Sequence, residues 1–165
     1  MAVAEMGIRE LIEAYARGAA EVREAIAGMS AAEIAARPIP GKWSTLELVC
    51  HLADFEPIYA DRMKRVIAEE TPSFMSGDPD LFLQHLAYDA REAEGEIAVI
   101  DSVRQQMAKI LRTLPVAAFS RVGMHSRDGA VSLETLLRRV TNHIPHHVRF
   151  IAEKRAALGL GGSEK

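Results

Sequence analysis

A single cysteine, Cys50, leaves no partner for an intrachain disulfide, which suits a reducing compartment. A dominant charge sign is also missing: the formal net charge is −3, with acidic and basic residues interspersed. No basic run or aromatic-interleaved patch invites nucleic acid. No apolar stretch approaches the length needed to cross a bilayer. The segment Met1 to Gly7 lacks the charged head and apolar run of a secretory signal. These absences lead us to expect a cytoplasmic protein with neither a nucleic-acid nor a membrane partner.

What is present is the composition of an ordinary globular protein, 48% apolar and 26% charged over 165 residues. That length buries a core without staples. Four segments carry helical periodicity. The first runs from about Glu5 to Met29, with Ile8, Leu11, Ile12, Tyr15, Val22 and Ile26 on one stripe. Ser30 and Glu33 form a capping box that opens a short helix, ended by Pro38 and Pro40. Ser44 and Glu47 form a second box and launch a long helix toward Ala68, with Pro57 inside it. Thr71 to Asp80 reads as a loop, and Leu81 to Tyr88 as a short helix. A third long helix carries Ile97, Ile100, Val103, Met107, Ile110, Leu111 and Leu114, and Pro115 stops it. Val116 to Val131 reads as an irregular connection, with no convincing strand pair anywhere. Ser132 caps the last helix, which carries Leu133, Leu137, Val140, Ile144, Val148 and Ile151. The expected fold is all-α: a four-helix bundle with short extra helices in its connections. One domain covers 1–158, and 159–165 form a flexible tail.

Histidines supply the chemistry. His143 and His147 stand four residues apart and project from the same helical face. His51, from another helix, completes a set of three nitrogen ligands for a divalent metal with positions left open. Helical projection puts His143 and His147 at the edge of the buried face, His146 on a solvated stripe with Arg139, Asn142 and Arg149, and Pro145 on the outer side. Each histidine alone reads more readily as a hydrogen-bonded residue at the margin of an apolar stripe than as a ligand. His85 and His125 read as surface or packing residues. Glu47 belongs to its capping box, whereas Asp54 is placed to orient the His51 ring. Asp54 and His146 are the candidate catalytic acid or base near the motif. Cys50 projects away from His51 and reads as a small buried hydrophobe. Trp43 reads as a packing anchor.

The stretch from Gly41-Lys42-Trp43-Ser44 through Cys50-His51-Leu52-Ala53-Asp54-Phe55-Glu56 resembles the second-helix signature of the DinB-like (DinB/YfiT) superfamily. His125 to Leu133 resembles the segment before that family's last helix, and His143 to Ile151 its terminal histidine motif. The resemblance implies a bundle of the DinB/YfiT type holding a divalent cation through His51, His143 and His147. Zinc or nickel is the expected ion, with manganese and iron as further candidates. It also implies a homodimer, and an enzyme acting on a small-molecule substrate as a metal-dependent hydrolase or thiol S-transferase. The transferase would use a low-molecular-weight thiol as cosubstrate. The alternative is a non-enzymatic metal-binding stress or interaction protein with a structural or vestigial site.

Overall fold

A computed structural model describes residues 3–160. Its long helices are α1 (Ile8–Ile26), α3 (Thr45–Ala68), α5 (Ala93–Arg112) and α6 (Leu133–Ala157). The short helices α2 (Ala31–Ala35) and α4 (Pro79–His85) lie in the connections. Both capping boxes form. The Ser30 and Ser44 side chains accept from the Glu33 and Glu47 amides, and those glutamates reach back to the Ser30 and Ser44 amides. The α3 and α6 helices continue through Pro57 and Pro145 as single elements. Pro145 itself is exposed, on the outer side of α6 as expected. No helix among the described residues is long and apolar enough to cross a membrane.

Element ends differ from periodicity where backbone chemistry intervenes. The α1 helix stops at Ile26 because Gly28 adopts a positive φ of 76°. It starts at Ile8, after a separate 3-10 turn over Val3–Glu5. The fourth helix begins at Pro79, two residues earlier than expected, because Asp78 caps the amides of Asp80 and Leu81.

The expected absence of strands is overturned. Strands β1 (Ser73–Phe74), β2 (Val122–His125) and β3 (Gly129–Ser132) form one sheet in the order β1-β2-β3. The β2–β3 hairpin closes through Ser126-Arg127-Asp128, with Gly129 at a φ of 72°, a backbone setting that glycine adopts without strain. Strand β1 joins in parallel from about fifty residues away, pairing Ser73 with Met124. Strands this short carry too few alternations to stand out from loop sequence.

The bundle is not wound in chain order. Helix α1 packs on α5 and α6, and α3 packs on the same two, so consecutive α1 and α3 stand diagonally. That arrangement sets α3 beside α6. Two apolar clusters fill the interior. One gathers Leu11, Tyr15, Met63, Met107 and Leu137, and the other Val22, Leu52, Ile97, Ile144 and Ile151. Between them lies a charged layer that periodicity did not reveal. Arg104 is fully buried, and its guanidinium pairs with the buried Glu56 carboxylate at 2.8 Å. Gly18 makes room for it, since a Cβ there would meet Arg104 Nη1 at 2.0 Å.

Candidate metal centre

The N-terminal half of α3, anchored by the Ser44–Glu47 box, presents His51 toward α6. Glu47 also pairs with Arg37, so its carboxylate is committed to this helix start, as expected. From α6, His143 and His147 face His51, because four residues return a side chain to nearly the same face. The Nε2 atoms of His51 and His143 are 2.9 Å apart. One ring nitrogen from each of the three histidines lies within 4.8 Å of the others. Two bonds of ~2.1 Å at right angles on one metal ion would hold their nitrogens ~3.0 Å apart. The His51–His143 separation fits two adjacent positions on one ion.

Burial holds all three rings neutral. It pushes His51 down to about 4, against the opposing pull of the Asp54 charge. It takes His143 down to about 2 and His147 to about 3, with the neighbouring imidazoles acting in the same direction. Neutral imidazoles keep the lone pairs that a cation needs. The residues therefore fit a divalent ion.

The Nδ1 atoms of His51, His143 and His147 are buried and have no hydrogen-bond partner among the described residues. Metal-bound histidines usually have their second nitrogen held by a carboxylate or carbonyl. Here aromatic rings do the holding. Trp43 stands edge-on to His51 at 5.5 Å and Phe55 lies 4.6 Å from it. Tyr59 flanks His143 at 6.2 Å, and Phe150 flanks His147 at 6.0 Å. Trp43 is thus more than the packing anchor expected from sequence, since it also borders the site.

Asp54 does not orient His51. Both of its oxygens receive hydrogen bonds from Arg91, at 2.9 and 3.0 Å, and Arg91 also binds Glu96. That arginine lies 37 residues away along the chain, so no local pattern on α3 announced the competition. His146 is exposed and outside the trio, its Nδ1 accepting from Arg149 at 3.0 Å. Its ring nonetheless packs edge-on against His147 at 5.0 Å. Cys50 is fully buried, and burial pushes its thiol up to about 12, as befits an inert hydrophobe. His85 is exposed, whereas His125 is buried and accepts two backbone amides at Nδ1.

A cavity of about 300 Å³ opens beside His147, walled by Trp43, Leu48 and Phe150 and edged by Lys42, Glu153 and Lys154. Lys154 escaped sequence reading. It is buried, donates to the Phe150 carbonyl at 3.3 Å, and burial lowers its pKa from the usual lysine range. A lysine about two turns past His147, in register with Ile144 and Ile151, was the available signal.

With this geometry in place, similarity to known proteins becomes informative. Residues 14–151 match the model of the DinB superfamily. The chain is 25% identical over 141 residues to YfiT of Bacillus subtilis, spanning 85% of this chain and 79% of YfiT. It is 24% identical over 111 residues to OB0782 of Oceanobacillus iheyensis, spanning 67% of this chain and 64% of that protein. Both relatives carry the provisional name of metal-dependent hydrolase. The solved YfiT structure, described as a probable metal-dependent hydrolase with an unusual four-helix bundle topology, superposes with a TM-score of 0.85 at 24% identity. That match covers 92% of this chain and 87% of YfiT. The mycothiol-dependent maleylpyruvate isomerase shares the fold at a TM-score of 0.68 and 13% identity, over 90% of this chain and 62% of the isomerase. A match over most of its length, on a bundle whose α3 and α6 bring three histidines together, establishes that the chain belongs to the DinB superfamily.

Proposed function

We propose that this protein is a metal-dependent hydrolase that cleaves an ester or amide bond in a small molecule. The observation that carries the reading is the convergence of three neutral imidazoles beside a cavity that His147 itself lines. A divalent cation held there would supply Lewis acidity toward a carbonyl and toward water. His51, His143 and His147 would hold it, and the aromatic rings around them fix the imidazoles and limit water. Trp43 and Phe150 offer apolar walls for the substrate body. Lys154, the buried cation of the cavity, offers a donor to an oxygen that gains negative charge during cleavage. At about 300 Å³ the cavity is at the lower end of the range for ligand sites, which favours a small metabolite over a polymer.

A thiol transfer is the second reading. It is favoured by the scaffold shared with a mycothiol-dependent enzyme and by the same three histidines beside a cavity. The test is an assay of ester and amide substrates with zinc, nickel or manganese supplied, each with and without an added thiol. Hydrolysis that needs the metal, ignores the thiol and disappears in His147→Ala supports the first reading. Turnover only when thiol is present replaces it with the second. Turnover retained in His147→Ala overturns both.

A further inference from the structure

A second cavity, of about 170 Å³, is bounded by Phe55 and Tyr59 on the side nearest the histidines. Its chemistry is cationic. Arg62, only 6% exposed, reaches it from α3 with its guanidinium over the rings of Tyr59 and Phe74, at 5.3 and 5.7 Å. One end is fixed, because Nη2 donates to the Met75 carbonyl. Its Nε is buried and has no hydrogen-bond partner, and among the described residues Arg62 forms no ion pair. A buried guanidinium with no ion-pair partner and an unpaired donor is costly, and an anion in the cavity beside it would offset that cost.

The surrounding groups agree. His125 accepts the Arg127 and Asp128 amides at Nδ1, 3.3 and 3.2 Å away, which leaves its ring proton on Nε2 as a donor. Arg139 is balanced by Asp128 at 2.6 Å, but Arg127, on the rim, has no such partner among the described residues. Three guanidinium groups therefore meet one carboxylate. The space is too small for a whole ligand, whose sites run from ~300 Å³ upward, and comfortably holds one charged group. A planar fork held between aromatic rings suits a carboxylate or a phosphate.

We infer that this cavity is an anion subsite that binds one carboxylate or phosphate group, with Arg62 as its principal donor. Phe55 and Tyr59 line it and also flank His51 and His143; the group it holds is assigned to the molecule cleaved there. That last assignment rests on the hydrolase reading; the anion site itself does not. Full-length ¹⁵N-labelled protein, with zinc supplied and in parallel without it, is titrated with acetate and with inorganic phosphate. The readouts are the Arg62 Nε–H and His125 ring resonances.

A saturable shift at Arg62 in both zinc states is expected for at least one ion, and the ion that produces it identifies the group. Arg62→Gln should weaken binding by about 10- to 100-fold, the worth of a charge-assisted hydrogen bond. Arg127→Gln, whose side chain is exposed and leaves folding intact, should weaken it by about threefold. No saturable shift with either ion overturns the proposal. Binding unchanged in Arg127→Gln and in folded Arg62→Gln overturns it equally. Anion binding in a protein that hydrolyses nothing upholds the subsite and removes only the hydrolase reading.

Discussion

Two polar clusters lie inside the bundle and differ in what they leave unfinished. At the waist of the bundle, Arg104 is fully buried and every guanidinium nitrogen has an acceptor. Nε donates to Glu56, Nη1 to the Tyr15 carbonyl, and Nη2 to the Val140 carbonyl, each at 2.9 Å. Toward one end, three imidazoles make one polar contact among themselves and leave three buried Nδ1 atoms without partners. The first cluster is charged, satisfied on its cationic side and sealed between apolar layers, which marks it as architecture. The second is neutral, unsatisfied and beside a cavity, which marks it as a place for a ligand. Burial alone does not separate structural from functional polar groups. Charge balance and an adjoining cavity do, since Glu56 Oε1 and Tyr15 OH at the waist are also buried without partners.

The sharpest way to break this comparison is to unbalance the waist. Arg104→Met leaves the Glu56 carboxylate buried and uncompensated, and should cost about 3–5 kcal/mol in denaturant unfolding. The double variant Arg104→Met, Glu56→Leu should recover most of that loss, because removing both charges also removes both desolvation costs. A double variant as unstable as the single would mean that the ion pair itself holds the bundle together.

Gly18→Ala comes next. Its methyl would overlap the guanidinium and Ile144 Cδ1, the latter at 2.7 Å, and forcing them apart should cost about 1–3 kcal/mol. Metal affinity should be unchanged if the two clusters are independent. Titration of the metal-bound protein with urea, paired with metal binding, checks both halves.

The histidines answer to pH. Their folded values, about 4, 2 and 3, lie below the value of ~6.5 for a free imidazole. As pH falls below ~6.5 the unfolded chain takes up protons that the folded chain refuses. Their contribution to stability is therefore complete above that pH and declines toward ~4. Each imidazole adds at most about 1.4 kcal/mol per pH unit to the slope. Metal-free protein unfolded in urea at pH 7, 6 and 5 should show this decline, and the His51→Ala, His143→Ala, His147→Ala triple variant should show much less. Equal slopes would mean that the rings are solvated.

The bundle was legible because its signals are local. Helical stripes, the two capping boxes and the Ser132 cap each lie within a few residues. The i,i+4 spacing of His143 and His147 was legible for the same reason, as was the outward placement of His146 and Pro145. What escaped depends on residues far apart in the chain. Arg104 and Glu56 are separated by 48 positions and Arg91 and Asp54 by 37. A glutamate in the stripe of Leu52 and Ala60, and an arginine in that of Ile97, Ile100 and Leu111, were visible as anomalies. Only packing shows that they meet. The sheet escaped because β1 is two residues long and finds β2 across about fifty residues of chain. Winding order escaped because amphipathic stripes say which face is buried, not which helix covers it.

The central claim is that the unsatisfied imidazoles hold one divalent cation, and equilibrium metal binding tests it most directly. Full-length protein dialysed free of metal and titrated with zinc, nickel or manganese should take up one ion per chain, released as pH falls toward the range where the imidazoles protonate. His51→Ala should weaken that binding by more than about 100-fold, beyond the usual effect of removing a residue behind a ligand. Arg104→Met, Glu56→Leu should leave it unchanged. A folded protein that binds none of the three ions stoichiometrically, or binds them as tightly without His51, would contradict the account.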